Sequence, residues 1–358
     1  MERIRVLVVE DSLTVRKRLI EVLVGEPGLE VVGEAADGKA AIELCQSLRP
    51  DIVTLDMMLP VMSGLAATEY IMAYCPTPIL IVSSSTNRGE VFKTYDALAA
   101  GAVDVFEKPA GVEVDGDWEA GLISRVRLIS RIKVITHLKG RLGSGRRTGA
   151  TVEAAVAPEP RPGCRLIALG ASTGGPGALL AILRALPSSF PVPILIVIHL
   201  GQPFAGPFAE WLDGQSSLRV AYAREGEPLP KMGQPGVILA PPGRHLALRE
   251  GRLRLTEDPE RHSCRPSVDV LFESVARETG KDAVGCLLTG MGRDGAEGLL
   301  SIRRAGGITL AQDEATSVVY GMPREAALLG AVEHVLPLDQ FAPALLRLAA
   351  GVEAGRRP

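Results

Sequence analysis

An apolar run, Leu166-Ile-Ala-Leu-Gly170, leads directly into Gly170-Ala-Ser172-Thr-Gly174, so a serine is predicted at the tip of a sharp strand-to-helix turn. Flanking glycines let the backbone turn tightly and let a reacting carbonyl approach the hydroxyl. The helix expected near Gly177 aims its N-terminal dipole at any oxyanion that forms there. A serine hydroxyl is a weak nucleophile at neutral pH and needs a base, which in turn needs an acceptor to fix its tautomer. Two further apolar runs supply both: Val192-Pro-Ile-Leu-Ile-Val-Ile ends on His199, and Ala283-Val-Gly-Cys-Leu-Leu-Thr289 runs into Gly290-Met-Gly-Arg-Asp294. Ser172, His199 and Asp294 are therefore the candidate catalytic residues, with the backbone amides of Thr173 and Met291 as candidate oxyanion donors. The chain order Ser, His, Asp differs from that of the α/β-hydrolase, chymotrypsin and subtilisin arrangements.

Rivals exist for each role. His245, in Ala240-Pro-Pro-Gly-Arg-His, reads as a surface or substrate-contact histidine in a polar turn, and His137, His262 and His334 read as solvated. Asp269 reads as part of a helix start capped by Ser267, and Asp313 as a loop residue. The glycine-rich turn could instead cradle a dinucleotide phosphate. Its spacing is not G-x-G-x-x-G, however, and the next strand ends in a histidine rather than a ribose-binding acid.

A second constellation lies in the first hundred residues. Glu10 and Asp11 follow the first apolar run, Asp56 the third, Ser83 ends the fourth and Lys108, before Pro109, follows the fifth. In a doubly wound parallel sheet such strand ends share a crevice, where Glu10, Asp11 and Asp56 could hold a hard cation such as Mg2+. Lys108 would put an ammonium there for a phosphoryl oxygen or the Asp56 carboxylate, and Ser83 a hydroxyl.

The elements that must position these groups alternate throughout. Strands are predicted at 4–9, 29–32, 51–55, 78–82 and 103–106, amphipathic helices near 14–25, 37–48, 64–74 and 88–100, and a long basic helix over 118–139. Residues 140–163 shift to small, polar and proline-rich composition and read as a flexible linker. From Arg165 a second alternation runs to about residue 348. The fold class is thus α/β, as two doubly wound parallel-sheet domains, divided as 1–121, a basic helix and linker over 122–163, and 164–352.

Composition narrows the function. With 358 residues, 46% of them hydrophobic, the chain can bury two cores. A net charge of −3 gives no sign of a nucleic-acid partner. Five cysteines without a C-x-x-C pair fit buried thiols in a reducing cytosol rather than a disulfide framework or zinc knuckle. No run suits a signal peptide or membrane span, so direct membrane insertion is not expected.

The first ~120 residues resemble the receiver domain of two-component response regulators, a flavodoxin-like fold. The resemblance implies that Asp56 accepts a phosphoryl group from a histidine kinase, Glu10 and Asp11 help hold magnesium, Ser83 is the switch hydroxyl and Lys108 senses the phosphate. Val105 stands where receivers usually carry a switch aromatic, with Phe106 beside it. The second domain resembles the CheB family of chemotaxis protein-glutamate methylesterases, on Ala171-Ser-Thr-Gly-Gly-Pro, Arg265-Pro-Ser-Val-Asp-Val-Leu-Phe, Leu288-Thr-Gly-Met-Gly-Arg-Asp-Gly and Gly321-Met-Pro-Arg-Glu-Ala. That resemblance implies hydrolysis of glutamate γ-methyl esters on methyl-accepting chemoreceptors, deamidation of selected receptor glutamines, no cofactor for the esterase, and a cytoplasmic location. It also places catalysis on Ser172, His199 and Asp294. One departure is Leu200-Gly201 after the histidine, where Met-Pro is usual. The competing expectation is a signalling adaptor that binds receptors without turnover.

Overall fold

A computed structural model describes residues 3–84, 88–108, 116–132, 134, 164–201, 203–234 and 236–354. Pro109, His137 and the stretch 140–163 lie outside the described residues. The chain forms two compact units, Met1–Arg147 and Thr148–Pro358.

The first unit runs β1 (Ile4–Val9), α1 (Leu13–Val24), β2 (Leu29–Ala35), α2 (Gly38–Leu48), β3 (Ile52–Leu55), α3 (Gly64–Tyr74), β4 (Ile79–Ser83), α4 (Arg88–Ala99), β5 (Asp104–Glu107) and α5 (Gly116–Ile129). Its strands form one parallel sheet in the order β2-β1-β3-β4-β5. The short aliphatic runs become central strands because both of their faces are covered: Val6 to Val9 and Ile79 to Val82 are all buried. Local chemistry sets the helix starts, with the Asp37 carboxylate accepting from the Lys39 and Ala40 amides and Ser63 Oγ from the Ala66 amide. The sense in which successive strands are added reverses between β1 and β3, which puts Glu10 and Asp56 at the switch point. The expected basic helix differs in extent. It begins at Gly116 and ends at Ile129, and Leu122, Val126 and Ile129 are buried in this unit's core, so the helix extends the first layer structure past residue 121.

The second unit runs β6 (Leu166–Ala171), α6 (Gly175–Ala185), β7 (Ile194–Ile198), α7 (Phe208–Gln215), β8 (Val220–Tyr222), β9 (Val237–Leu239), β10 (His245–Arg249), β11 (Arg252–Thr256), α8 (Val268–Thr279), β12 (Ala283–Leu287), α9 (Ala296–Arg304), β13 (Ile308–Gln312), α10 (Met322–Leu328), β14 (His334–Leu336) and α11 (Phe341–Ala354). A seven-stranded parallel sheet has the order β14-β13-β12-β6-β7-β9-β8, and β10 and β11 form a separate antiparallel hairpin. Strand β6 is central and fully buried, with β7 on one side and β12 on the other. Gly170 lies against Val268 on α8, so closely that a methyl there would meet the valine Cγ1 at 2.3 Å. This contact seats α8 across the sheet's carboxyl edge, where the candidate serine emerges.

Candidate active site

In the first unit the five expected groups stand at the ends of four neighbouring strands. Glu10 and Asp56 are buried and Asp11 is exposed; one oxygen from each lies within 4.8 Å of the others. Lys108 Nζ reaches between them, 2.9 Å from Glu10 Oε2 and 3.0 Å from Asp56 Oδ2. Its position is fixed by the Lys108 amide, which donates to Ser83 O at 3.0 Å. Burial and the adjacent Asp56 charge push the Glu10 carboxyl up to about 7, and burial also raises Asp56 against the opposing pull of Lys108. Burial would lower the lysine, but the two carboxylates raise it. Glu10 Oε2, although near the ammonium, accepts no directed hydrogen bond. Three clustered hard oxygens, one of them lacking a directed donor, fit a small divalent cation.

Ser83 is fully buried and its hydroxyl donates to Glu90 Oε1 on α4 at 3.3 Å, the same oxygen that accepts from Ser84 Oγ at 2.7 Å. Thr94 Oγ1 lies 3.5 Å from Ser83 Oγ. The hydroxyl is thus engaged with α4, and no hydrogen bond joins it to Asp56 among the described residues. Val105 is buried, while strand alternation sends Phe106 to the opposite face, against Trp118 (centroids 5.5 Å apart) and under Arg125 (4.8 Å). Phe106 is therefore held by α5.

In the second unit Ser172 follows β6 directly and His199 follows β7 directly, and the register pairs Ala171 with Ile198. The serine and histidine are neighbours at the carboxyl edge, with the His199 amide donating to Ala171 O at 3.0 Å. On its other side the Ser172 amide donates to Thr289 O at 3.0 Å, and Thr289 Oγ1 donates to Thr173 O at 2.9 Å. The turn demands Gly174, whose φ is +78°, and Gly290, where a Cβ would stand 2.7 Å from Ser172 Cβ. The Thr173 and Met291 amides donate to no group among the described residues.

His199 Nε2 lies 2.9 Å from Asp294 Oδ2. Asp294 is only 2% exposed and sits at the N-terminus of α8. Its Oδ1 accepts from Ser267 Oγ at 2.7 Å and the Asp269 amide at 3.2 Å, and its Oδ2 accepts also from the Val268 amide at 2.7 Å. Burial would raise this carboxyl, but the His199, Ser267 and Val268 donors hold it below the ordinary range. Burial would lower His199, and the bonds to Asp294 and Cys264 instead push it up to about 9. The other ring nitrogen, Nδ1, is 3.7 Å from Cys264 Sγ, and no hydrogen bond links Ser172 Oγ to His199 among the described residues. A cavity of about 340 Å³ is lined by Ile198 and Leu200, the residues flanking His199, together with Tyr222, Pro242, Glu260 and Arg265, while His199 itself does not line it.

Several expectations change. His245 is not in a polar turn: it opens β10, is 1% exposed, accepts from the Ser267 amide at Nδ1 (3.1 Å) and faces Pro259 O with Nε2 (3.2 Å). Both ring nitrogens are thereby engaged. His262 is part of a half-buried cluster, with Nε2 3.1 Å from Asp269 Oδ2 and Nδ1 accepting from Arg293 Nε. Ser267 caps α8 as expected, but its bond to Asp294 was not visible in sequence, nor was Cys264 beside the histidine.

Comparison with known proteins gives the family of both units. Residues 167–345 match the family model described as CheB methylesterase, and residues 6–114 the response regulator receiver domain. A protein-glutamate methylesterase/protein-glutamine glutaminase of Anaeromyxobacter dehalogenans (strain 2CP-C) is 47% identical over 345 residues, covering 96% of this chain and 97% of the relative. The chain belongs to the CheB methylesterase family. A relative of the same printed name from Nitrosospira multiformis is 45% identical over 354 residues, with 97% of each chain covered. Among solved structures, the Thermotoga maritima CheB methylesterase catalytic domain is 34% identical, covering 51% of this chain and 98% of that one, with a TM-score of 0.49.

Proposed function

We propose that this chain is a phosphorylation-regulated serine esterase. It hydrolyses glutamate γ-methyl esters on chemoreceptor cytoplasmic domains and deamidates selected glutamines there, in chemotaxis-type adaptation. The observation that carries the reading is the pairing of His199 Nε2 with a four-donor Asp294 carboxylate, next to a serine at the end of the adjoining strand. With Nε2–H committed to Asp294, Nδ1 is the nitrogen left to take a proton.

Ser172 Oγ attacks the ester carbonyl as its proton passes to His199 Nδ1, and Asp294 stabilises the resulting imidazolium. The tetrahedral oxyanion is held by the Thr173 and Met291 amides, and their lack of acceptors among the described residues supports this role. His199 then gives its proton to the departing methoxide, releasing methanol. Water, activated by the same nitrogen, cleaves the acyl-serine to the free glutamate carboxylate. An amide enters the same sequence with ammonia as leaving group. Leu200, which follows the histidine, lines the cavity, so the Leu200-Gly201 departure shapes the mouth that meets the receptor.

In the receiver, Asp56 is the phosphoryl acceptor, Lys108 binds the phosphoryl oxygen and Ser83 is the switch hydroxyl. Glu10, Asp11 and Asp56 would hold Mg2+, which supplies charge neutralisation for the incoming phosphoryl group. A histidine kinase is the phosphodonor. Among the described residues no helix is long and apolar enough to cross a membrane, and we place the enzyme in the cytoplasm. The receiver restrains the esterase until Asp56 is phosphorylated, by an equilibrium between docked and undocked forms. Methyl release from one receptor preparation, by unphosphorylated chain, phosphorylated chain and residues 164–352 alone, tests this. Restraint predicts that the first is slowest. Equal rates in all three would remove it, and no methanol from any would favour the adaptor alternative.

A further inference from the structure

The thiol of Cys264 takes no part in the esterase chemistry, yet it faces the nitrogen that does. Cys264 Sγ lies 3.7 Å from His199 Nδ1, and ligand atoms of His199, Cys264 and Asp294 all lie within 4.8 Å of one another. A tetrahedral zinc ion with Zn–S of about 2.3 Å and Zn–N of about 2.0–2.1 Å sets its sulfur and nitrogen about 3.6 Å apart. The observed spacing needs almost no adjustment. The far side of the ring is also prepared: Nε2 meets the Asp294 carboxylate at 2.9 Å, the arrangement that orients a metal-bound imidazole and increases its basicity. Cys264 is half-buried rather than sealed in the core, and the His199 side chain keeps 16% of its surface exposed, so both donors touch solvent.

We propose that Cys264 Sγ and His199 Nδ1 form a binding site for Zn2+, and that zinc held there reversibly switches the esterase off by occupying the base nitrogen. On binding, the thiol proton leaves to solvent, Zn–S and Zn–N bonds form, and the ion loses two of its waters, keeping others in the remaining positions. Asp294 stays in its hydrogen bond to Nε2–H. Selectivity follows from donor type: a thiolate and an imidazole suit zinc or cobalt, whereas the receiver's all-carboxylate cluster suits magnesium. The inhibition rests on His199 being the base; the binding does not.

The test uses the unphosphorylated full-length chain and zinc chloride in a chelator-buffered series, following methyl release. Wild-type turnover should fall with free zinc and return on adding EDTA. In Cys264→Ser and Cys264→Ala the half-inhibitory zinc concentration, each set against that variant's own uninhibited rate, should rise at least about tenfold. Cobalt added to the wild-type chain should give a thiolate-to-metal charge-transfer band that Cys264→Ser lacks. Zinc X-ray absorption on the wild-type chain needs no variant and should find one sulfur near ~2.3 Å with nitrogen and oxygen near ~2.0 Å. Unchanged zinc sensitivity in folded variants, a shell without sulfur, or a shell with two sulfurs would overturn the site. A Cys264-dependent cobalt band without loss of turnover would leave the site standing and overturn both the inhibition and His199 as base.

Discussion

Replacing Asp294 with Asn tests the triad most sharply, because the structure says which way the new amide must face. Oδ2 accepts from two N–H groups, His199 Nε2 at 2.9 Å and the Val268 amide at 2.7 Å. Oδ1 accepts from Ser267 Oγ, which can turn and become an acceptor, and from the Asp269 amide at the longer 3.2 Å. The Asn NH2 therefore belongs at the Oδ1 position, and its carbonyl keeps His199 in the Nε2–H tautomer. What is lost is the negative charge. A rise of His199 from 6.5 to about 9 corresponds to about 3 kcal/mol net favouring the imidazolium, what remains after burial has opposed the bonds to Asp294 and Cys264. The expected loss in kcat is then about 10²-fold, with KM little changed. A wrong tautomer would cost about 10⁴-fold. The assay is methanol release from methyl-labelled receptor fragments across pH. Wild-type kcat/KM should rise as pH climbs through about 9, because the base acts only once its proton is lost, and the rising limb should move to lower pH in the variant. A loss below tenfold in folded protein would take Asp294 out of the mechanism. A loss near 10⁴ would refute the amide orientation.

Ser172→Ala should lower methyl release by at least about 10⁴-fold with an unchanged melting temperature, since the hydroxyl makes no hydrogen bond among the described residues; appreciable turnover would disqualify it as nucleophile. Gly290→Ala puts a methyl 2.7 Å from Ser172 Cβ and 2.3 Å from Met322 Sδ, so kcat should fall by about 10² and stability by about 1–3 kcal/mol; a near-normal rate would mean the loop yields without moving the serine. Asp56→Asn should abolish labelling by a small phosphodonor, and chelating Mg2+ should do the same to wild type; labelling that survives either change would move the phosphorylation site or the metal elsewhere. Glu90→Ala removes the carboxylate acceptor of the Ser83 hydroxyl on α4, leaving the longer Thr94 contact to that helix, and should change the ratio of phosphorylated to unphosphorylated esterase rates; an unaltered ratio would separate Ser83 from the switch.

The strand ends were legible because the signal is local. Ile194 to Ile198 is buried on both faces, and a polar residue directly after such a run must emerge at the sheet edge, which locates His199 and, by the same reasoning, Ser172 and Asp56. The groups that hold Asp294 are not local to it. Ser267 and the start of α8 come from a different crossover, and nothing near Asp294 in sequence announces them. His245 shows the opposite failure: Pro-Pro-Gly-Arg before it signals a turn correctly, but β10 begins at the histidine itself. The hairpin then buries it against the segment leading into α8, where Ser267 meets its ring. The helix over 118–139 was misjudged in length because its apolar spacing continues past Ile129, where the described helix stops.

The unusual chain order of the triad follows from the sheet. Strand β6 is central, so its neighbours β7 and β12 lie on either side, about 4.8 Å away each, and residues at all three carboxyl ends share one edge. The serine comes first because the central strand is laid down first. The histidine follows on β7, and the acid can come only from β12 once the chain has crossed back. The two flanking contributions are not equivalent. His199 needs no loop, since it stands directly beyond β7 and its amide bonds to Ala171 O. Asp294 must reach the far side of the imidazole, so the segment after Leu287 passes over Ser172 at Gly290, where no side chain fits, and turns through Gly292 and Gly295 at φ of +89° and +92°. The glycines that frame the acid in sequence are thus what allows it to meet the base. The Met291 amide, proposed above as an oxyanion donor, belongs to this same loop, which Gly290 brings against Ser172.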